Sequence, residues 1–570
     1  MTPARQLSAV DVVVASAAIF LVHRILKHYR SRSNRGNVTP LDGPSSKNWI
    51  FGKTKELQTS EDVGKLYEDW ATEYGSVYKV PTSLGTEKIM LLDPKAISHF
   101  YSKETFVYIG TPLAKQFIAR FFGKGLLWAE GESHRRQRKA LTPAFSNAAI
   151  RRLTAVFYDS AYKVAPMNQE SRTATDPRTQ LKTHWDAKLE NHPDGDIIEV
   201  QEWMNHVALD SIGIAGFSHD FGSLDGKPSA VVEAFESLGQ TPDSKIGLLL
   251  FLLSFVFPAL VNIPTKRNQR LLELRRTMGG IADELLDRSR KGDLGGEDKS
   301  IIGLLIKAES TEQDGDLHMT PDEVLAQPIS DFIPFQMNVL LLAGYETTSI
   351  SLTWTLIELS KAPEKQDQLR KELLETKGGQ DAEWDELTAA DKYPYLDAVV
   401  HEILRLHPPL VETSRVASEP DIIPLSQPLL TKHGEVTSIA VAKGDNISAP
   451  ISCMNRSELV WGKRAKEFIP ERWLSDANGS AGEDVIPASA KEIQAYRNLL
   501  TFSDGPRTCL GKNFALAEFK SVLSVLIKNY RFEFSDGPDT KIELARGLLP
   551  RPKIEGSIGP NVPLKVQRVE

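Results

Sequence analysis

Apolar positions along this chain recur mostly at helical spacing and only locally at strand spacing. Leu352, Trp354, Leu356, Ile357 and Leu359 form a dense apolar run closed by Pro363. Leu396, Val399, Val400, Ile403, Leu404 and Leu406 repeat every three or four residues until Pro408-Pro409. Proline lacks a backbone donor and clashes with the preceding turn, so each run predicts a helix with a defined end. Short extended segments stand at Val77-Tyr78-Lys79-Val80 and from Lys88 to Leu92, then again around Arg531–Phe534 and Gly547–Pro552. The pattern predicts a small β-rich part over residues 60–104, helices from Phe121 onward, and strands again near the end. The expected fold class is mainly α with a minor β part, without internal repeats.

Two apolar stretches raise the question of a membrane. Val12 to Val22 is an apolar run without charge, with Ser16 its one polar residue, and it is shorter than the roughly 20 residues that span a bilayer. Arg24, Lys27, Arg30, Arg32 and Arg35 follow it, against Arg5 alone in front. Positive charge after the run keeps that side cytoplasmic and favours an anchor over a cleaved signal peptide, whose charge precedes its apolar core. Residues 1–30 are therefore expected to be an N-terminal signal-anchor helix with a basic flank. Residues 31–55, with Pro40-Leu41-Asp42-Gly43-Pro44, form a stiff hinge, and 56–570 form the main globular domain. The second stretch, Ile246 to Ile263, is broken by Pro258 and ended by Pro264, which argues against a span. Ordinary core and a surface segment dipping into lipid both remain open for it.

Composition narrows the class further. A net charge of −7 and a pI near 6.0 argue against broad nucleic-acid binding. With only two cysteines, Cys453 and Cys509, a disulfide framework is excluded and a reducing compartment is expected. A cytoplasmic domain also predicts that the sequons at Asn37, Asn446, Asn455 and Asn478 carry no glycan.

The most telling motif is Phe502-Ser503-Asp504-Gly505-Pro506-Arg507-Thr508-Cys509-Leu510-Gly511, F-x-x-G-x-R-x-C-x-G, just before a helical run from Lys512. Cys509 would face the positive end of that helix, where unpaired N–H groups favour a thiolate. Gly505 and Gly511 would let the backbone pass close to a flat ligand and take positive φ where needed. Ala343-Gly344-Tyr345-Glu346-Thr347-Thr348 sets an acid and a hydroxyl side by side in a helix that Gly344 loosens. Glu402-Ile403-Leu404-Arg405 puts opposite charges on one helix face among apolar neighbours, so the pair is expected buried. Pro470-Glu471-Arg472-Trp473 stands downstream of it. His401-Glu402 does not make a zinc helix, because Arg405 stands where the second histidine belongs.

These motifs, in this order, resemble the cytochrome P450 family over nearly the whole chain. The resemblance implies the P450 fold behind a membrane anchor, with haem b held between a long central helix and the cysteine-bearing loop. It implies Cys509 as the thiolate axial ligand of the iron, with Phe502, Gly511 and Ala343 shaping the haem site. His134, Arg138, Arg415 and Arg507 would hold the propionates. The His134/Arg138 pair replaces the W-x-x-x-R of many members, as in fungal-type enzymes. Glu346 and Thr347 would deliver protons. Pro470–Trp473 is similar to a family segment whose arginine, here Arg472, joins the Glu402–Arg405 pair. The implied function is oxygen insertion (hydroxylation or epoxidation) into a small lipophilic substrate arriving from membrane lipid. Electrons would come indirectly from NADPH through NADPH-cytochrome P450 reductase, docked on Lys463, Arg464 and Lys512, at the endoplasmic reticulum membrane. Fungal secondary metabolism of terpenoid-like compounds is the expected setting. A fatty-acid or xenobiotic hydroxylase, a reductase-independent isomerase or dehydratase, and a non-catalytic haem sensor are the alternatives. Substrate contacts are expected from Phe106–Phe122, Ile246–Ile263, the residues before Ala343, Leu410–Thr413 and Gly547–Leu549. One departure stands out: Pro328 to Asn338, with Pro328 and Pro334, interrupts the first half of the central helix. Either that helix starts late, after a loop, or the segment is a retained intron.

Overall fold

In the computed structural model, proline and a capping side chain open several helices. Asp93 accepts the Ala96 N–H at 2.9 Å with Pro94 in the first turn, and Thr111 caps the helix that begins at Pro112. The structure describes residues 38–162, 181–227, 265–290, 329–474, 485–545, 547–557 and 559–569, together with 231, 263, 300 and 301. The expected anchor, the start of the hinge, nearly all of Ile246–Ile263, and the sequons at Asn37 and Asn478 lie outside the described residues. Among the described residues, no helix is long and apolar enough to cross a membrane.

The helices that build the site are α1 (Val63–Tyr74), α2 (Pro94–Ser102), α3 (Pro112–Phe121), α4 (Gly131–Leu141), α5 (Asn147–Tyr162), α6 (Val200–Phe217), α7 (Ile329–Lys361), α8 (Pro394–Leu406) and α9 (Lys512–Asn529). The strands are β1 (Val77–Pro81), β2 (Glu87–Leu91), β3 (Tyr108–Gly110), β4 (Asp196–Glu199), β5 (Thr413–Ala417), β6 (Asp421–Thr431), β7 (Gly434–Val441), β8 (Asn446–Ala449), β9 (Tyr530–Glu533), β10 (Ile542–Ala545), β11 (Arg551–Ile554) and β12 (Pro563–Arg568). A five-stranded sheet runs β1-β2-β8-β5-β3; three strands join as β4-β12-β9, and β6–β7 and β10–β11 are hairpins. The mainly helical expectation holds, and the β-rich part lies where expected. One detail differs: the long β6–β7 hairpin has no counterpart in the sequence reading. Gly547–Pro552 mixes turn and strand as expected, with Arg551 and Pro552 opening β11.

The central helix corrects the late-start expectation. α7 begins at Ile329 and its backbone stays helical through Pro334. A proline there lacks the donor for one ladder bond, at a cost of about 3 kcal/mol in a helix interior. The remaining turns and the packing of the long helix override that local penalty.

α7 joins two cores. Ile350, Leu352, Leu356, Ile357 and Leu359 belong to a large core with α8, the five-stranded sheet and most of α9. Leu341 and Tyr345 belong to a second core with Phe121, Phe122, Phe157, Leu209, Ile212 and Phe514. Residues 346–348 therefore sit where the two cores meet. Of the described sequons, Asn455 is fully buried, donating to Thr501 Oγ1 at 2.8 Å and accepting the Leu500 N–H at 3.0 Å.

Candidate cofactor and catalytic site

The cysteine loop folds back on itself before entering α9. Cys509 N–H donates to the Phe502 carbonyl at 2.8 Å, and Thr508 N–H to that of Gly505 at 3.1 Å. Gly505 has φ +63°, and a Cβ there would stand 2.3 Å from the Tyr101 carbonyl oxygen, so only glycine fits. Gly511 does not need positive φ: it precedes α9 at φ −84°, which corrects that part of the expectation. Phe502 packs edge-on to Tyr496, centroids 5.9 Å apart. The protein packed around Cys509 desolvates its exposed sulfur in part and raises the thiol pKa; the Gly511 N–H and the charges of Arg138 and Lys512 act against it and favour the thiolate. The α9 N-terminus is thus aimed at the sulfur, as the sequence predicts. Cys453, by contrast, is an ordinary buried thiol whose pKa burial raises.

Beside the loop lies a cluster of basic and acidic side chains. His134 and Arg138, one turn apart, share a face of α4. His134 is buried, and burial with Arg507, Arg138 and Arg415 nearby pushes it down to about 3, leaving it neutral. Arg507 Nη2 donates to Glu130 Oε2 and to the Ala129 carbonyl, each at 2.5 Å. Arg415 Nε lies 3.0 Å from Glu104 Oε1, though the N–H is not aligned as a hydrogen bond. Sheet register makes this cluster. Arg415 on β5 is paired with Gly110 on β3, and the Gly110 N–H donates to Glu130 Oε1 at 2.7 Å. All four predicted propionate ligands converge, but the sequence reading missed the two carboxylates among them, Glu104 and Glu130.

On α7, Ala343 is exposed and Thr347 partly so, while Glu346 is buried. Thr347 Oγ1 donates to the Ala343 carbonyl at 2.5 Å, a bond back to the preceding turn that bends helices. Gly344 serves close packing: a Cβ would lie 2.8 Å from Ile212 of α6. Glu346 and Thr347 do not meet as a ready relay. Glu346 Oε1 lies 3.2 Å from both Nε and Nη2 of Arg551 at the start of β11, while Oε2 has no partner. Burial raises its pKa and Arg551 opposes the rise. One residue on, Thr348 shares a buried polar pocket with Ser211 and Glu518 of α9, whose carboxyl burial pushes up to about 8. Arg551 and Glu518 also escaped the sequence reading. Glu518 left a signal, as a single acid on the apolar face Phe514, Ala517, Phe519; Arg551 left none.

The Glu402–Arg405 network is as expected. Arg405 Nε and Nη2 each donate to a Glu402 oxygen at 2.8 Å, and Arg472 Nε stands 3.5 Å away. Ile469 N–H and Trp473 Nε1 complete the carboxylate at 2.9 Å each. Among the described residues no group of three or more His, Cys, Asp or Glu could hold a metal. Of the basic side chains expected to dock a reductase, Lys463 is exposed, Arg464 pairs with Glu467 at 2.9 Å, and Lys512 lies over the Tyr496 ring at 4.1 Å.

The implied haem fits these residues. Cys509 in the loop and Ala343 on α7 both keep exposed surface, so each can touch a bound group. Nε of Arg415 and of Arg507 is buried without an aligned acceptor, which leaves donors for carboxylates entering beside them. Phe117, Ile118, Leu340, Leu342 and Leu548, from three of the segments expected to touch substrate, pack on the second core.

Comparison with known proteins agrees. The cytochrome P450 family model matches residues 42–557. The chain is 55% identical over 577 residues to the cytochrome P450 monooxygenase claP of Ampulloclitocybe clavipes, covering all of both chains. It is 34% identical over 514 residues to cytochrome P450 monooxygenase 205 of Postia placenta, covering 88% of this chain and 87% of the relative. It is 30% identical over 557 residues to the ganoderic acid synthetase CYP5150L8 of Ganoderma lucidum, covering 93% and 94%. With a thiol at a helix N-terminus, a converging set of arginines and full-length likeness to fungal monooxygenases, this chain belongs to the cytochrome P450 family and is one of its monooxygenases.

Proposed function

We propose that this enzyme inserts one oxygen atom into a lipophilic natural product of fungal secondary metabolism, terpenoid-like in character. The electrons come from NADPH through a membrane-bound P450 reductase. The N-terminal segment tethers it to the endoplasmic reticulum membrane with the catalytic domain in the cytoplasm. The observation that carries the reading is Cys509 set before α9 with the Gly511 N–H aimed at its sulfur. The apolar residues around the second core and a relative named for a ganoderic acid support a greasy substrate.

Haem, when bound, supplies the one-electron chemistry that activates dioxygen. The chain's own residues do the rest. Cys509 Sγ would hold the iron as a thiolate, stabilised by the Gly511 N–H and the α9 dipole. Arg138, Arg415, Arg507 and neutral His134 would hold the haem's carboxylates. Ala343, small and exposed, would leave room for the group, and Phe502 packs against Tyr496. Glu346 stores a proton at Oε2, the oxygen that Arg551 leaves free. Thr347 Oγ1 donates to Ala343 and keeps its lone pairs for a water that carries the proton onward.

The test is purified full-length protein with reductase, NADPH and a panel of terpenoids, fatty acids and xenobiotics. Substrate-dependent NADPH oxidation with a monooxygenated terpenoid-like product is the expected result. Conversion of a hydroperoxide without reductase or NADPH, and nothing otherwise, would contradict it.

A further inference from the structure

Two carboxylates, Glu104 fully buried and Glu130 partly so, stand among the arginines that would hold the haem's carboxylates, and they are not equivalent. Glu130 is fully engaged: Oε1 accepts the Gly110 N–H at 2.7 Å, Oε2 accepts Arg507 at 2.5 Å, and Lys115 Nζ is 4.0 Å away. Glu104 is fully buried, and neither oxygen receives an aligned hydrogen bond. Its one close charge is Arg415 at 3.0 Å. The other ionisable groups facing it are Arg507 from the cysteine loop, Glu130 before α4, and Tyr101 at the end of α2. The backbone of Glu104 bridges to Tyr108 of β3, which fixes this residue in the cluster beside Arg415.

Charge balance then decides the outcome. Arg138, Arg415, Arg507 and Lys115 bring four positive charges, and His134 is neutral. Lys115 and Arg507 are engaged by Glu130, so Glu104 and two propionates would share Arg415 and Arg138. A buried anion left short of cations is expensive, and protonation relieves it. Glu130 has the donors an anion needs, whereas Glu104 does not.

We propose that Glu104 takes up one proton from solvent when the haem propionates enter this cluster, freeing Arg415 to turn to a propionate, so that haem capture is proton-linked. Burial already raises the Glu104 pKa, and a nearby propionate pushes the same way. Glu104 thus acts as a positioning residue: neutral, it accepts the cofactor; ionised, it competes for Arg415 and repels the incoming carboxylates.

The inference rests on the haem-binding reading, and the experiment separates the two because it is run on protein already shown to bind haem. Holoprotein is mixed with excess apomyoglobin, and haem transfer is followed by absorbance from pH 6 to pH 9. For wild type the loss rate is expected to rise with pH, approaching about tenfold per unit where Glu104 titrates. E104Q mimics the protonated form, so its loss rate stays nearly flat and lies below wild type at pH 9. E130Q keeps the wild-type slope, because Glu130 is not the proton acceptor. A proton count gives a second readout: haem added to apoprotein in weak buffer releases about one proton more from E104Q than from wild type near neutral pH. Equal slopes, equal proton counts, a wild-type rate independent of pH, or an E104Q protein that cannot hold haem would each overturn the proposal.

Discussion

Glu402 and Glu346 are both buried glutamates facing an arginine, yet their surroundings assign them opposite work. Glu402 receives two bonds from Arg405, one from the Ile469 N–H and one from Trp473 Nε1, so each oxygen has two partners. Its partner is as well bound: Arg405 also donates to the carbonyls of Asn455 at 3.0 Å, Ala465 at 2.5 Å and Glu467 at 3.2 Å. Glu346 has Arg551 on one oxygen and nothing on the other. A saturated carboxylate cannot move or change charge without losing several bonds, so it fixes structure. A half-satisfied one is close to neutral and to release, which suits proton transfer.

The largest expected effect lies on the saturated side. Arg405→Met leaves Glu402 buried without its main partner, and breaking such a pair costs about 3–5 kcal/mol. Haem content and thermal unfolding should both collapse. Retention of a normal melting temperature would show that the network is not the fold's anchor.

A third glutamate sharpens the contrast. Glu518 has no cation at all, and burial pushes it up to about 8. Its folded value lies above its unfolded one, so its contribution to stability is complete below about pH 4 and is lost as pH rises through about 8. Glu518→Gln has no such loss. The unfolding free energy of the variant should therefore gain on wild type as pH rises from 5 to 8, by roughly 1.4 kcal/mol per unit at most, and its melting temperature should rise relative to wild type accordingly. A constant difference across that range would mean Glu518 is paired in the folded protein.

On the half-satisfied side the effect is kinetic. Glu346→Gln should lower kcat by roughly 10²-fold, with more NADPH consumed per product formed, while the melting temperature stays near wild type. Equal loss of kcat and stability would place Glu346 with Glu402 as structural.

The smallest effect tests Arg551. Arg551 holds the Glu346 pKa down against burial, so Arg551→Gln should raise it further. Glu346 then stays protonated to higher pH, and the alkaline limb of the kcat profile should move up. An unmoved profile would break the link between Arg551 and the acid.

The sequence made one side of this comparison legible and hid the other. Glu402 and Arg405 lie three apart on one helix, and Arg472 sits in a short tetrapeptide, so local spacing reveals the network. The cysteine loop is local too, down to the N–H of Gly511. The Glu346–Arg551 contact joins residues 205 apart, through the docking of a C-terminal hairpin on the central helix. Glu104 meets Arg415 only because β3 pairs with β5. Such contacts depend on sheet register and on packing between distant elements, which no local pattern encodes. Pro334 misled for the converse reason. Its local cost is real, but the long helix around it absorbs that cost.

The claim on which the rest depends is a thiolate–iron bond at position 509. Purified holoprotein is reduced and exposed to carbon monoxide, and its difference spectrum is compared with that of Cys509→Ala. The account predicts the strongly red-shifted Soret band of thiolate ligation in the wild type and its loss in the variant. A wild-type band at the position given by histidine ligation, or an unchanged band in Cys509→Ala, would contradict it.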